Sequence, residues 1–303
     1  MIKRTIYIGS SAYLCCRNDQ LEYEVPEAKM LGENDRIRHV PIEDIGVIIL
    51  DNTRITITHH LIHKLLENNV AFIVCDDKHM PVGLMLNLEG NTLQQERFES
   101  QINASLPLKK QLWAQTISAK IRNQAQNLKE IGVNIENMLY WANSVKSGDS
   151  TNYEARAAAY YWKNIFPSIP DFIRHREGGY PNKLINYAYA ILRAVSARSL
   201  VGAGLLPTLG IHHHNRYNAY CLADDIMEPY RPIVDRLVIQ AINQYPGCEE
   251  LTPELKRLFL SVPVIDVTIQ NEKSPLMIAM QQTAASLVKC FEGEAKKILF
   301  PTL

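Results

Sequence analysis

Three stretches of the sequence contain side chains that could bind a metal ion. Glu154 follows Thr151 by three positions and precedes a run of alanines, and His212–His214 lie in a turn rich in glycine and proline. Asp225 and Glu228 are three residues apart, so both carboxylates would share one face of a helix. Carboxylates with an imidazole suit Mg²⁺ or Mn²⁺. Because such an ion polarises a phosphoryl oxygen and activates a hydroxyl, the inventory predicts phosphoryl transfer.

Each stretch also has an ordinary structural interpretation. Thr151 and Glu154 match a capping box, in which the glutamate side chain returns to the N-cap amide. Consecutive histidines can be simply exposed polar residues, and their alternating direction in extended backbone favours one histidine ligand over three. Arg231 could be the counter-ion of Asp225 and Glu228. On the residues alone, both interpretations remain open.

Two prolines fall where the third stretch would be helical. Proline in a helix conflicts with the carbonyl four residues earlier. Pro229 therefore disturbs the helix at Asp225, and Pro232 disturbs it at Glu228. We predict a kinked or restarted helix at these carboxylates, which is unusual for a purely structural helix.

Composition and missing motifs exclude several classes of protein. Lys plus Arg and Asp plus Glu both number 32, so DNA contacts would need local basic patches. The sequence has no phosphate-binding P-loop, no dinucleotide-binding glycine motif and no zinc-protease helix. Its six cysteines lack zinc spacing, which indicates reduced structural thiols. Without a signal peptide or a membrane-length apolar run, we expect a cytoplasmic protein with no membrane contact.

The hydrophobic pattern changes from strand-like to helical along the chain, which predicts an α+β protein. A small, mostly β domain with one helix is predicted over residues 1–88, and an all-α domain over residues 89–303. The predicted strands are Thr5–Ile8, Ala12–Cys16, Gly46–Leu50, Ala71–Cys75 and Val82–Leu86. The predicted helices of the second domain begin at Ser105, the N-cap of a helix that Gly132 closes, and continue with Glu136–Val145, Tyr153–Phe166, Lys183–Val201, Tyr220–Tyr245, Pro253–Leu260 and Pro275–Glu294.

The three stretches, in this order and spacing, resemble the CRISPR-associated adaptation integrases over nearly the whole chain. The family has a glutamate before a helix of small residues, which corresponds to Glu154. It has a G-L-x-P-x-L-G-x-x-H loop, here Gly204 to His213, and a D-x-M-E-P-x-R-P-x-x-D helix, here Asp225 to Asp235. The repeated histidines and the compact length look most like the type II members, which are found beside single-protein RNA-guided effectors.

The resemblance implies a catalytic activity and a set of site residues. Glu154, His213 and Glu228 would be catalytic and would bind Mg²⁺ or Mn²⁺, with Asp225, Asn182 and Asn186 as neighbours. The reaction would be attack by the 3′-hydroxyl of a short DNA fragment on a phosphodiester at the boundary of a CRISPR repeat. This is the activity of a metal-dependent DNA endonuclease and integrase that inserts spacers into a CRISPR array.

The resemblance also implies partners: double-stranded DNA, a second copy of the chain and a small companion adaptation protein. The RNA-guided effector nuclease and an accessory DNA-binding protein are further candidates. Poorly covered strand edges in a domain of this size place the homodimer contact in the N-terminal β domain. Phosphate contacts are expected from basic residues of two predicted helices and of a glycine-containing loop: Lys109, Lys110, Lys120, Arg122, Arg156, Arg174 and Arg176.

Two rival functions remain from the sequence. A metal-dependent nuclease could hydrolyse branched DNA with water in place of a DNA hydroxyl. A non-catalytic helical DNA-binding scaffold would use Glu154 as a helix cap and pair Asp225 and Glu228 with Arg231. Metal binding that depends on Glu154 separates the scaffold from either enzyme.

Overall fold

The structure, a computed structural model, describes residues 3–24, 37–247 and 250–303. The chain divides into two compact units, Met1–Gly90 and Asn91–Leu303. The first is rich in strands and the second is mostly helical, which confirms the predicted α+β fold class. The predicted boundary after residue 88 lies two residues before this division. Of the six cysteines, Cys248 lies outside the described residues.

The N-terminal unit contains two four-stranded sheets, one α-helix and the 3₁₀ helix Ile42–Asp44 in its described residues. The strands and the α-helix are β1 Arg4–Ile8, β2 Ala12–Arg17, β3 Gln20–Glu24, β4 Ile37–Pro41, β5 Ile45–Leu50, β6 Ile55–Ile57, α1 His59–Glu67, β7 Ala71–Cys75 and β8 Pro81–Met85. One sheet has the order β1-β5-β7-β8, with β8 antiparallel to an otherwise parallel sheet, and the other has the order β4-β3-β2-β6. Leu14, Ile48 and Leu61 share one apolar cluster that joins residues of both sheets and the helix α1.

The C-terminal unit is built around two long helices, α3 (Leu106–Glu130) and α6 (Asn182–Gly202). The side chain of Ser105 caps α3 by accepting a hydrogen bond from the Leu108 amide, and Pro107 lies in the first turn. Most of α6 is buried, so its pattern lacks a polar face. The helices are α2 Gln94–Ile102, α3 Leu106–Glu130, α4 Glu136–Ser144, α5 Tyr153–Asn164, α6 Asn182–Gly202, α7 Cys221–Met227, α8 Arg231–Gln244, α9 Pro253–Leu260 and α10 Leu276–Phe291.

The predicted long helix over Tyr220–Tyr245 is interrupted. Helix α7 ends at Met227, a 3₁₀ turn covers Glu228–Tyr230, and α8 begins at Arg231. Pro229 lies at the start of the 3₁₀ turn, and Pro232 lies at the start of α8. The first backbone N–H groups of a helical segment have no partner within it, so proline, which lacks this N–H, is tolerated there. The proline pattern therefore predicted this break correctly, and Glu228 lies directly at it.

The expectation of an all-α second domain is wrong in one detail. Asp266–Ile269 (β9) and Glu272–Pro275 (β10) form an antiparallel hairpin, and Thr268 also pairs with Thr302. Its turn, Gln270 and Asn271, has positive φ at both positions, as a two-residue hairpin with a type I′ turn requires. Within the described ranges, no helix is both long enough and apolar enough to cross a membrane.

Candidate metal centre

The loop that carries the histidines is held by Gln101 of helix α2. The side chain of Gln101, which is buried on α2, donates to the carbonyls of Leu206 and Leu209 at 2.9 and 3.1 Å. Its Oε1 accepts from the Leu206 amide at 2.8 Å. Gly210 allows the chain to fold back on itself, since a Cβ there would lie 2.4 Å from the His213 carbonyl oxygen. The loop therefore has a defined conformation before any ligand binds.

Asp225, on α7, holds the histidine loop through both carboxylate oxygens. Oδ2 accepts from the amides of Ile211 and His212 at 2.7 and 2.9 Å, and Oδ1 accepts from the His213 amide at 3.3 Å. The ring Nδ1 of His213 lies 2.5 Å from Oδ1. This hydrogen bond raises the pKa of His213 and outweighs the opposite effect of burial. With Nδ1 bound to a carboxylate, Nε2 becomes the ring nitrogen that a metal would use.

The neighbouring histidine has a different environment. The ring of His212 stacks on Trp113 of α3 with centroids 4.1 Å apart and planes within 2°. Burial, followed by the nearby His213, lowers the pKa of His212. His213 meets the same tryptophan only edge-on, at 5.5 Å. The two histidines thus contact Trp113 differently. Their ring centroids lie 5.2 Å apart, so the predicted alternation, in which neighbouring side chains point to opposite faces, is not observed here.

Glu154 lies in the first turn of α5, but it does not form the predicted capping box. The N-cap residue is Asn152, and the amides of Tyr153 and Glu154 both donate to the Asp149 carboxylate at 2.9 Å. Asp149 therefore satisfies the helix N-terminus, and the Glu154 side chain is available for another role. Its Oε1 accepts instead from Lys120 Nζ at 2.8 Å.

Glu228, at the break between α7 and α8, contacts the same lysine. Its Oε2 lies 2.6 Å from Lys120 Nζ, and its Oε1 lies 3.1 Å from Arg231 Nε. Burial would raise the pKa of Glu228, but Arg231 and Lys120 outweigh burial and hold this pKa below its usual value. Burial likewise opposes the charge of Lys120, yet Glu228 and Glu154 raise its pKa. Glu228 and Lys120 are therefore both charged at neutral pH.

The donor set fits a hard divalent cation. Glu154 and Glu228 already converge on one cation, the ammonium of Lys120. Oε2 of Glu228 is buried, and the ammonium of Lys120 lies 2.6 Å from it. A buried carboxylate oxygen is costly unless a cation binds it, so this position favours a cation. In the part of the chain that the structure describes, no three His, Cys, Asp or Glu side chains lie close enough together to hold an ion without rearrangement.

The two asparagines expected beside the metal site hold a loop. Asn182 Oδ1 accepts from the Arg174 guanidinium at 3.0 Å and from the His175 amide at 2.9 Å. Asn186 Oδ1 accepts from Arg174 at 2.7 Å, and its Nδ2 donates to the Arg176 carbonyl at 2.6 Å. Both amides are thus used to fix the segment that precedes α6. The guanidinium of Arg174 lies over Tyr189, the ring that Arg231 also covers.

The basic residues proposed for DNA contact divide into three groups by their exposure. Lys110, Arg122, Arg156 and Arg176 are exposed, whereas Lys109 and Arg174 are half-buried. Lys120 is only 8% exposed and contacts two carboxylates, so its assignment to an exposed phosphate-binding stripe is wrong. The periodicity of α3 does not distinguish a lysine on the solvent side from one that turns inward to an ion pair.

Several residues that shape the site were missed in the sequence. Asn123 donates to the Pro229 carbonyl at 2.8 Å, and Asn127 donates to the Pro232 carbonyl at 2.6 Å. Together with Lys120 they occupy positions i, i+3 and i+7 of α3, which is one helix face. All three are buried. This polar face is the signal that could have located the partner of the Glu228 segment.

Comparison with protein families gives one match that covers most of the chain. The family model "CRISPR associated protein Cas1" matches residues 6–250. A CRISPR-associated endonuclease Cas1 from Neisseria meningitidis is 34% identical, over 100% of this chain and 97% of its own length. A CRISPR-associated endonuclease Cas1 from Pyrobaculum aerophilum is 28% identical, over 83% of this chain and 89% of its own length.

Solved structures match over the full fold at lower sequence identity. A casposase bound to integration product has a TM-score of 0.77 and 20% identity, covering 98% of this chain and 92% of its own. A CAS1 protein from Thermotoga maritima has a TM-score of 0.76 and 17% identity, covering 98% of this chain and 99% of its own. These likenesses concern the arrangement of the helices and strands.

Proposed function

The chain belongs to the Cas1 family of CRISPR-associated proteins, and from this premise we propose that it is the DNA endonuclease and integrase that inserts short DNA fragments into a CRISPR array. The 34% identity to a CRISPR-associated endonuclease over the whole chain supports this activity. The type II subtype remains a proposal from the repeated histidines and the chain length. The site described above would carry the reaction.

We assign Glu154, His213 and Glu228 as the ligands of a Mg²⁺ or Mn²⁺ ion. One observation carries the assignment: Glu154 and Glu228, from separate elements, converge on a single buried cation. His213 would contribute Nε2, because Asp225 binds its Nδ1. Asp225 is therefore an orienting residue and not a ligand, in the manner of carboxylate–histidine pairs at metal sites.

In the proposed reaction, the 3′-hydroxyl of one DNA strand attacks a phosphodiester of another, and the displaced 3′-oxygen leaves with a proton. A bound divalent ion would polarise the phosphoryl oxygen and lower the pKa of the attacking hydroxyl. The protein residues would position the two strands, since phosphoryl transfer depends on alignment and charge stabilisation. Arg231 keeps Glu228 ionised at the break between α7 and α8.

DNA is the proposed substrate, bound by the exposed basic residues. Lys110 and Arg122 lie on α3, Arg156 lies two residues after Glu154, and Arg176 lies in the loop before α6. Half-buried Lys109 and Arg174 would extend this surface. The casposase that shares this fold is bound to an integration product, which supports DNA as the substrate. Phosphate contacts of this kind position DNA without reading its sequence.

A homodimer and a companion protein complete the proposed assembly. Val74, Val82 and Met85 of the β7–β8 hairpin are apolar and exposed, which supports a dimer contact in the N-terminal unit. A related chain occurs in a Cas6-RT-Cas1–Cas2 complex, which supports a small companion protein. An effector nuclease and an accessory DNA-binding protein are further proposed partners. Light scattering at micromolar concentration tests the dimer, and a monomer there would refute it.

The function is tested by strand transfer with Glu228→Gln. The substitution removes one metal-binding charge but keeps the volume, so we expect DNA binding to persist and joining to fall by about 10²-fold or more. Glu254→Gln, an exposed glutamate on α9, is the matched control. A gel assay with labelled fragments and a CRISPR repeat separates joined from cut products. Cut products alone would indicate a nuclease for branched DNA, and joining by Glu228→Gln at the wild-type rate would refute the site.

A further inference from the structure

The cation between the two metal-binding carboxylates belongs to the protein itself. Lys120 Nζ lies 2.8 Å from Glu154 Oε1 and 2.6 Å from Glu228 Oε2. The lysine is almost fully buried, so neither water nor an external phosphate replaces these contacts. A buried ammonium is stable only when paired in this way, and the same holds for the buried Glu228 carboxylate.

A divalent ion bound by Glu154 Oε1 and Glu228 Oε2 would lie within a few Å of the ammonium that contacts both oxygens. Like charges a few Å apart in a poorly hydrated site repel strongly. Helix α3 itself is held near the proline break, because Asn123 and Asn127 bind the Pro229 and Pro232 carbonyls. The flexible side chain of Lys120 is therefore the part of α3 that can move away from the two carboxylates.

We propose that Lys120 is a positioning residue: its ammonium holds Glu154 and Glu228 together before the metal binds, and the divalent ion must displace it. This inference rests on the function proposed above. It gives Lys120 the role of an internal competitor that weakens metal binding while it keeps two carboxylates from moving apart. Arg231 remains on Glu228 in both states and prevents the carboxylate from becoming unpaired.

The test is isothermal titration of the full chain with Mn²⁺. Lys120→Met and Lys120→Gln remove the competing charge, so we expect Mn²⁺ to bind about tenfold more tightly, within the ordinary range of about 5–150-fold for coupling between ligands. Lys120→Arg keeps a cation there and should restore an affinity near the wild-type value. Lys129→Met is the matched control, because it removes an exposed charge about 13 Å further along the same helix.

Glu154→Gln separates the two proposals. If Mn²⁺ binding depends on Glu154 but the neutral Lys120 variants bind the ion equally or more weakly, the role of Lys120 is wrong and the metal site stands. If the wild-type chain has no Glu154-dependent Mn²⁺ site, both proposals fall. Thermal melts identify which neutral variant is folded. A crystal structure of the wild-type chain with Mn²⁺ tests displacement without any substitution: Nζ within ion-pair distance of both carboxylates would overturn it.

Discussion

At the residue scale, the carboxylate of Asp225 accepts hydrogen bonds from three successive backbone amides and contacts the ring of His213. These contacts fix both the path of the loop and the orientation of one imidazole. His212 is instead fixed by stacking on Trp113. The two neighbouring histidines therefore make distinct contacts. Of the two, His213 is the one whose Nδ1 contacts the Asp225 carboxylate, which leaves its Nε2 for a metal.

We expect His213→Ala to reduce strand transfer far more than His212→Ala or His214→Ala, because only His213 is assigned as a ligand. The three variants are compared in one Mn²⁺ integration assay. Thermal melts serve as controls, and His212→Ala should lower the melting temperature most, since it removes the ring stacked on Trp113. An active His213→Ala beside an inactive His212→Ala or His214→Ala would mean that the motif was aligned to the wrong histidine.

At the scale of elements, the site depends on two interruptions of helical structure. The break at Glu228–Tyr230 separates α7, which carries Asp225, from α8, which begins at Arg231. The turn around Gly210 returns the chain from α6 to α7 and presents His213. Both interruptions were readable in the sequence, because proline and glycine have specific backbone requirements.

Gly210→Ala should disrupt the histidine loop. Its methyl group would lie 2.4 Å from the His213 carbonyl oxygen and 2.8 Å from Asp225 Oδ2, so the loop must shift. We expect strand transfer to be lost and the free energy of unfolding to fall by about 1–3 kcal/mol, as for overpacked sites. Gly179→Ala is the control, because a Cβ there meets nothing within 4 Å. Wild-type activity in Gly210→Ala would contradict the fixed loop.

Sequence motifs marked the proposed ligands but not the residues around them. Glu154, the histidines and Glu228 are marked by local motifs, whereas the contact of Lys120 with two glutamates joins residues 34 and 108 positions distant from it. Local periodicity carries no information on such pairings. The sequence did not predict the short helix α2, because Gln94–Ile102 is mostly polar. Its Gln101 is buried where it contacts the histidine loop, and this contact cannot be read from the local sequence.

At the scale of the whole molecule, three helices of the C-terminal unit meet at a buried carboxylate. Asp235 on α8 accepts from Tyr161 of α5 at 2.8 Å and from Tyr189 of α6 at 2.7 Å. Burial raises the pKa of Asp235 to about 6, although both tyrosine hydroxyls and Arg231 act in the opposite direction. The change from strands to helices along the chain was predictable from the sequence. The contact of Asp235 with two tyrosines was not, because those residues lie 74 and 46 positions away in the chain.

This carboxylate predicts a pH dependence of stability. Because the pKa of Asp235 is raised from 3.8 to about 6, the folded chain binds more protons than the unfolded chain between these values. Stability should therefore fall as pH rises through this window, by up to about 3 kcal/mol at about 1.4 kcal/mol per pKa unit. Asp235→Asn cannot titrate and should lack this decrease.

Urea unfolding of both chains between about pH 4 and pH 6.5 measures the difference. The wild-type chain should lose stability relative to Asp235→Asn as pH rises, because other titrating groups affect both chains equally. A difference that stays constant across the window would show that Asp235 does not titrate there.

The central claim is that Glu154, His213 and Glu228 bind one metal ion in this chain. Anomalous diffraction from a crystal grown with Mn²⁺ tests it most directly. We predict one strong peak within about 2.0–2.5 Å of both carboxylates and of His213 Nε2, with Asp225 still on Nδ1. A peak elsewhere, or none while Glu154 and Glu228 keep their contacts with Lys120, would contradict the account.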